Sequence, residues 1–212
     1  MKPDAAMTRM IEQVRRGGVS DERVLASIER VPREMFVAGP FRPRAYENAT
    51  LPIGYHQTIS APVVVGLMTQ ALNVTDRMKV LEVGTGSGYQ TAVLALLCRR
   101  LYTIERHKAL FRDGEKRLEK LGITNVTALL ADGSGGWPEQ APFERIMVTA
   151  AALDVPPVLL DQLAVGGVML LPIGTGKEDQ RLTRVVRTAE GAETEDLGGV
   201  RFVPLVPDLA KG

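Results

Sequence analysis

The sequence predicts an α/β fold built on a doubly wound, mostly parallel sheet, and three observations support this. Apolar runs of strand length alternate with longer runs of helical period. A glycine-rich loop follows the first strand of that alternating region. The chain has 212 residues, which is enough for one such domain with some appended structure. Strands that alternate with helices imply a parallel sheet covered on both faces.

Two short helices are predicted near the amino terminus. The first carries apolar side chains at helical spacing and ends at Gly17-Gly18. The second can be capped by Ser20 or Asp21 and ends before Pro32. Each helix has one apolar face, so both are expected to pack against the rest of the chain.

The segment between these helices and the sheet shows little periodicity. Residues 37–62 are rich in Pro, Gly and aromatic residues, which predicts an ordered loop region. Pro62 stands near the first turn of a following apolar helix, and Ser60 is a candidate N-cap. We therefore predict a helical and loop-rich cap over residues 1–75, within the same domain as a core over residues 76–212.

The core is predicted as an alternation of strands and helices. The predicted strands cover residues 79–83, 100–104, 126–130, 143–149 and 167–172, and the predicted helices cover residues 89–98, 107–121 and 156–164. Two later strands, 181–187 and 200–203, are expected to form an antiparallel edge. In open sheets of this kind, ligands lie at the carboxyl ends of the strands.

The loop after the first core strand carries the strongest functional signal. It reads Gly84-Thr85-Gly86-Ser87-Gly88, and glycines without a Cβ atom let a ligand approach the main chain. The dinucleotide pattern Gly-x-Gly-x-x-Gly would need a glycine at position 89, which is Tyr89. Glu105 ends the next strand, where a carboxylate can contact a ribose. The pattern favours an adenosine ligand without a pyrophosphate, such as S-adenosylmethionine.

Other polar residues fall at the ends of neighbouring predicted strands. Glu82 lies at the end of the first core strand, and Thr149 at the end of the fourth. Asp132-Gly133 follows the third, where the Asp132 carboxylate could accept a hydrogen bond from an adenine amino group. We expect these residues to surround one crevice together with Glu105.

Charge and cysteine content exclude several classes of protein. A net charge of +1 gives no electrostatic footprint for nucleic acid or an anionic membrane. Cys98 is the only cysteine, so no intramolecular disulfide can form, and it is expected to lie on a buried helix as a structural thiol. No signal-peptide core or membrane-length apolar run occurs, so we expect a cytoplasmic protein.

Common catalytic motifs are also missing from the sequence. His56 and His107, with one distant cysteine, do not have metal-ligand spacing, so no metal is expected. Neither the phosphate-loop motif nor the Gly-x-Ser-x-Gly motif occurs, which disfavours kinases and many hydrolases.

Several separated segments together resemble one family. They are Val31-Pro32-Arg33-Glu34-Met35-Phe36-Val37, Leu51-Pro52-Ile53-Gly54, Gln57-Thr58-Ile59-Ser60, the stretch from Leu81 to Ala92, Val148-Thr149-Ala150-Ala151, Leu171-Pro172-Ile173-Gly174 and Val200-Arg201-Phe202-Val203-Pro204-Leu205. The chain resembles the protein-L-isoaspartate O-methyltransferases, which belong to the class I S-adenosylmethionine-dependent methyltransferases with a Rossmann-like fold. This resemblance implies methyl transfer from S-adenosylmethionine to the free α-carboxylate of L-isoaspartyl residues in damaged proteins, which initiates repair.

The resemblance also implies roles for individual residues. It assigns Glu82, Gly84, Thr85, Gly86 and Gly88 to the methionine end of the cofactor, Glu105 to the ribose, and Asp132 with Gly133 to the adenine. Ser60 corresponds to the active-site serine of the family, with Thr58 close by. Arg201, Phe202 and Val203 resemble the segment that holds the substrate backbone. The expected partners are isoaspartyl proteins and peptides, with no nucleic acid or membrane, and the expected state is a monomer.

Two alternative functions remain to be weighed. A class I methyltransferase could act on a small molecule or nucleic acid, but Thr149-Ala150-Ala151-Ala152 stands where amino-methylating nucleic-acid enzymes commonly carry an Asp/Asn-Pro-Pro-Tyr/Phe element. A nicotinamide-dependent oxidoreductase, or a nucleotide-sensing module without chemistry, is the other class. The glycine spacing disfavours the oxidoreductase, and the polar Gln57 to Ser60 segment disfavours the sensor.

Overall fold

The computed structural model describes residues 5–37, 39–176 and 179–210. Its helices are α1 (Ala5–Arg16), α2 (Glu22–Arg30), α3 (Pro62–Leu72), α4 (Tyr89–Ala95), α5 (Lys108–Lys120) and α6 (Pro157–Asp161). Its strands are β1 (Leu51–Gly54), β2 (Gln57–Ile59), β3 (Lys79–Val83), β4 (Arg100–Glu105), β5 (Val126–Leu130), β6 (Phe143–Val148), β7 (Leu163–Ile173), β8 (Arg181–Arg187) and β9 (Ala192–Gly199). The outermost residues of the predicted cap and core, 1–4 and 211–212, lie outside the described residues.

The main sheet has seven strands in the order β5-β4-β3-β6-β7-β8-β9. Strands β3 to β7 are parallel, whereas β8 and β9 pair antiparallel at one edge. The strand order reverses at β3, so the crevice at a topological switch point is expected beside its carboxyl end. This confirms the predicted α/β class, with its mostly parallel sheet and its antiparallel edge.

The residues that form the antiparallel edge of the sheet differ from the prediction. Residues 200–203 do not form a strand, and β8 pairs instead with Ala192–Gly199. The strand β9 is almost entirely exposed and contains the acidic run Glu193-Thr194-Glu195-Asp196. Apolar alternation could not reveal it because an exposed edge strand buries little on either face.

Two predicted helices are shorter in the structure. Helix α4 ends at Ala95, so Cys98 is buried in the turn that follows it and not on a helix. Helix α6 ends at Asp161, and β7 begins at Leu163, four residues before the predicted strand. Leu163 pairs with Phe143 through an irregular register, which extends the strand beyond its regular apolar run.

The predicted loop region contains an antiparallel hairpin of β1 and β2. Its turn places Tyr55 at φ 53° and His56 at φ 56°, in the left-handed region. Such turns favour Asn-Gly or Asp-Gly, so the sequence Tyr-His carried no hairpin signal. The hairpin brings Thr58 and Ser60 to the carboxyl edge of the main sheet.

The start of α2 matches its prediction and the start of α3 does not. Asp21 is the N-cap of α2, and its carboxylate accepts a hydrogen bond from Arg23 N. At α3 the N-cap is Ala61, so the predicted capping role of Ser60 is wrong. The Asn48 Oδ1 atom accepts from Val63 N at 3.2 Å and supplies a cap from a distant part of the chain.

The N-terminal helices pack on the glycine-loop side of the core. One hydrophobic cluster combines Met10, Val14 and Ile28 with Tyr89 and Val93 of α4. The predicted division into cap and core stays a prediction. Among the described residues, no helix is long and apolar enough to cross a membrane.

Candidate active site

A cavity opens at the carboxyl edge of the sheet, beside the switch point. Nine of the predicted site residues line it: Thr58, Ser60, Gly84, Thr85, Gly86, Glu105, Gly133, Phe202 and Val203. The remaining four, Glu82, Gly88, Asp132 and Arg201, are not among its lining residues. Residues that are far apart in sequence therefore meet because parallel strands end at one edge.

The conformation of Gly84 shows why a glycine stands at the end of β3. Its φ is +98°, and a Cβ atom built on it would lie 2.3 Å from Thr149 Oγ1. The Thr149 hydroxyl lies 2.8 Å from Gly84 O and 3.0 Å from Val83 O. This close approach ties the glycine loop to the end of β6.

The three glycines of the loop serve different purposes. Gly86, at φ +55°, lines the cavity near Ile53 of the hairpin. Gly88 instead faces α5, where its added Cβ atom would lie 3.5 Å from Gly114 Cα. The first two glycines thus line the cavity, whereas at Gly88 the φ of +89° favours glycine, because an added Cβ atom would make only ordinary contacts there.

Glu105 links the end of β4 to the glycine loop. Its Oε2 atom accepts a hydrogen bond from Gly86 N at 2.7 Å, and its Oε1 atom accepts from His107 N at 2.8 Å. A carboxylate has about four acceptor positions, so both oxygens can still accept from a diol. The geometry suits the predicted contact with a ribose.

Glu82 lies behind the cavity wall. It is completely buried, and its Oε2 atom accepts hydrogen bonds from the hydroxyls of Thr91 at 2.6 Å and Thr103 at 2.7 Å. Since Thr103 uses its proton on Glu82, the 2.7 Å contact with Thr85 makes Thr85 the donor. Burial raises the pKa of Glu82 to about 7. The predicted contact with the methionine end stays a prediction, and the visible connection to the cavity runs through Thr85.

The Asp132 carboxylate has two partners in the protein. Its Oδ1 atom accepts from Ser134 N at 2.8 Å, and its Oδ2 atom accepts from Asp208 N at 2.9 Å. These backbone hydrogen bonds, which outweigh the effect of partial burial, hold its pKa below the usual range. Gly133 rather than Asp132 lines the cavity, so the adenine contact of Asp132 also stays a prediction.

The hairpin supplies the hydroxyl groups of the site. Thr58 lies on β2 opposite Pro52, and Ser60 follows that strand directly. Thr58 is exposed and Ser60 is half-buried, and both line the cavity. Because Ala61 and not Ser60 is the N-cap of α3, the Ser60 hydroxyl is available to a ligand.

The C-terminal segment closes the cavity from the other side. Gln180 fixes Phe202 in both directions: Phe202 N donates to Gln180 Oε1 at 2.6 Å, and Gln180 Nε2 donates to Phe202 O at 3.1 Å. Ala151 N donates to Val203 O at 2.8 Å, which attaches the segment to the end of β6. Arg201 is exposed beside these residues.

Some lining residues were not predicted as site residues. They include Val65, Met68, Tyr89, Gln90, Arg106, His107, Leu205 and Val206. Gln90 lies two residues after Gly88 of the glycine loop, so its position was a signal. Val65 and Met68 instead have the apolar spacing of a helix packed in the core. Among the residues that the structure describes, no group of His, Cys, Asp or Glu could hold a metal ion.

The polar groups that line the cavity fit an adenosine-type ligand. Glu105 offers carboxylate acceptors next to the backbone of Gly86, and Gly133, which follows β5, lines the same cavity. A Cβ atom at Gly133 would lie 2.5 Å from Val83 Cγ1, so the tight approach of these strand ends requires glycine there.

Comparisons with known proteins identify the family of this chain. The family model for protein-L-isoaspartate(D-aspartate) O-methyltransferase matches residues 5–210. A Rhodospirillum rubrum protein-L-isoaspartate O-methyltransferase is 64% identical over 203 residues, which are 95% of this chain and 93% of the relative. The Paramagnetospirillum magneticum protein of the same name is 59% identical over 209 residues, 98% of each chain.

Solved structures give the same result. A protein-L-isoaspartate O-methyltransferase superposes with a TM-score of 0.84 at 25% identity, over 96% of this chain and 67% of the other. A Plasmodium falciparum structure in complex with S-adenosyl-L-homocysteine has a TM-score of 0.80 at 24% identity, over 93% and 97%, and shows the same fold. The chain belongs to the protein-L-isoaspartate(D-aspartate) O-methyltransferase family.

Proposed function

We propose that this protein transfers a methyl group from S-adenosylmethionine to the free α-carboxylate of L-isoaspartyl residues in damaged proteins. The observation that carries the proposal is that one cavity is lined both by the glycine loop with Glu105 and by the hydroxyl-bearing residues Thr58 and Ser60. Membership of the family supports the same reaction. The methyl ester then collapses to a succinimide, and hydrolysis of the succinimide returns some normal aspartate.

The acceptor group explains why the cavity needs no strong general base. An α-carboxylate has a pKa near about 3.5 and is already ionised at pH 7. The hydroxyls of Ser60 and Thr58 can donate hydrogen bonds to it without protonating it. Their role in this proposal is to aim one carboxylate oxygen at the methyl group.

Positioning supplies most of the rate enhancement in this scheme. S-adenosylmethionine, when bound, supplies the activated methyl group and leaves as the neutral thioether. Glu105 would hold the ribose and the Gly84–Gly86 backbone the methionine end of the cofactor, while Phe202 and Val203 would orient the peptide. Accurate alignment of reactants can contribute about 7–11 kcal/mol in favourable cases.

Apolar side chains around the reacting groups assist the same step. Val65, Met68 and Phe202 are buried and line the cavity, so they exclude water from it. A carboxylate and a sulfonium lose their charges as the ester forms, and a site drier than bulk water favours that neutralisation.

The proposed partners are isoaspartyl proteins and peptides, and we propose a cytoplasmic monomer that does not bind nucleic acid or membrane. The near-neutral charge of +1 supports this absence of anionic partners. No observation favours the two alternative functions, a small-molecule or nucleic-acid methyltransferase and a nicotinamide-dependent oxidoreductase.

The test uses methyl-labelled S-adenosylmethionine and two peptides that differ only in L-isoaspartate or L-aspartate. Base-labile label in the isoaspartyl peptide alone is the expected result. Ser60→Ala should lower kcat/KM by about tenfold to a hundredfold, since a hydrogen bond to a charged group contributes about 1.5–3 kcal/mol. Ser20→Ala, at an exposed serine that does not line the cavity, is the matched control. No label in either peptide, with cofactor bound, would refute the proposed activity.

A further inference from the structure

Gln90 holds a side-chain amide in the cavity wall with a fixed orientation. It is the second residue of α4, and its Nε2 atom lies 2.9 Å from Thr69 Oγ1. Thr69 is 1% exposed, and its hydroxyl donates to Val65 O at 2.7 Å. A hydroxyl has one proton, so Thr69 can only accept from Gln90. The atom of Gln90 that faces Thr69 must therefore be the nitrogen.

The opposite end of the amide is left as an acceptor. Among the described residues, no donor reaches Gln90 Oε1, and this atom is not one of the buried side-chain atoms without a partner. Gln90 also lines the cavity, beside Val65 and Met68. An oxygen that is accessible, oriented and unpaired is suited to a ligand donor in that cavity.

Sheet order indicates which part of a ligand reaches Gln90. Glu105 ends β4 and Gly133 follows β5, so the nucleoside half belongs to the β4–β5 side. Helix α4 packs on β4, but the Gln90 amide at its N-terminal end points to Thr69 on α3, which packs on β6 and β7. The amide therefore lies toward the β6–β7 side, where the amino-acid half of the cofactor would lie.

The amino-acid half carries an α-ammonium group that needs acceptors. Glu82 is completely buried outside the cavity lining: Thr91 and Thr103 donate to its Oε2 atom, and its Oε1 atom has no partner but is buried as well. We propose that Gln90 Oε1 accepts a hydrogen bond from the α-ammonium of S-adenosylmethionine and so orients its sulfonium. This inference rests on the proposed function, because it assumes that cofactor.

The test is a binding cycle between one side chain and one ligand group. Dissociation constants are measured by calorimetry for S-adenosylhomocysteine and for its analogue without the α-amino group, on the native protein and on Gln90→Leu. The native protein should bind the complete ligand at least about tenfold more tightly than the analogue. Gln90→Leu should bring that ratio close to one.

The substitution leaves the remaining protein groups satisfied. When Gln90 is removed, Thr69 still donates to Val65 O, so no buried donor is orphaned. Gln57→Leu is the matched control, since Gln57 also lines the cavity but donates to Tyr55 O at 3.2 Å. It should keep the native ratio.

Thr69 provides an independent test of the orienting contact. Thr69→Val removes the acceptor of Gln90 Nε2 and should reduce the ligand ratio, whereas Thr69→Ser should keep it. If Gln90→Leu does not fold, the ligand ratios of Thr69→Val and Thr69→Ser test the inference instead. An unchanged ratio in Gln90→Leu, or a dependence on the carboxyl group of the ligand instead, would overturn the inference. Failure of the native protein to bind S-adenosylhomocysteine would refute the proposed function itself.

Discussion

Replacing Glu82 by Gln should stabilise the protein relative to the native protein, and this gain should be larger at pH 8 than at pH 4.5. The Glu82 carboxylate is completely buried, and burial raises its pKa from 4.5 to about 7 despite hydrogen bonds from Thr91 and Thr103. The folded state therefore binds a proton more tightly than the unfolded state. Stability from this group is fully present below pH 4.5 and is lost as the pH rises to about 7.

The size of the effect follows from the difference between the two pKa values. A rise from 4.5 to about 7 corresponds to about 3 kcal/mol at 1.36 kcal/mol for each pH unit. Glu82→Gln cannot ionise, and its Oε1 atom can still accept from both threonine hydroxyls. The difference in unfolding free energy between variant and native protein should therefore grow by about 3 kcal/mol from pH 4.5 to pH 8.

Urea unfolding at several pH values measures this difference directly. Asp21→Asn is a control of opposite sign, because the hydrogen bonds from Arg23 lower the pKa of Asp21. The stability contributed by Asp21 is present above its unfolded pKa and is lost as the pH falls. If the Glu82→Gln difference stays constant across the range, the buried group does not titrate as described.

Two further predictions concern the edges of the cavity. Gly84→Ala should cost at least about 1–2 kcal/mol of unfolding free energy because of its positive φ. The clash with Thr149 Oγ1 adds to this, so Thr149→Ala should partly rescue it; an additive double variant in urea unfolding would contradict the clash. Asp132→Ala should speed hydrogen exchange of the Asp208 amide, since that amide loses its acceptor. Unchanged exchange, measured by NMR with Asp161→Ala as control, would rule out this tether.

The strands and the glycine loop could be predicted because their signals are local. Apolar runs mark β3 to β6 within a residue at either end, and Glu105 was correctly placed at the end of β4. Parallel strands that are buried on both faces consist of nearly continuous apolar residues, so such strands can be recognised in the sequence. The Asp21 cap of α2 was predictable for the same reason, as its partner lies two residues away.

Elements stabilised by distant contacts escaped prediction. Asn48 caps α3 from 15 residues away, which made Ser60 the natural but wrong choice. Strand β9 depends on pairing with β8, and its exposed acidic residues carry no apolar period. The hairpin turn at Tyr55-His56 adopts a left-handed conformation that its residue types disfavour.

The sequence by itself determined the fold class, the glycine loop and the order in which polar residues end neighbouring strands. It could not separate residues that face the cavity from residues behind its wall. Glu82 and Glu105 both end parallel strands, yet Glu82 is buried against Thr91 and Thr103 while Glu105 reaches the cavity. Only the packed structure decides which way such a side chain is satisfied, because its partners come from other strands and helices.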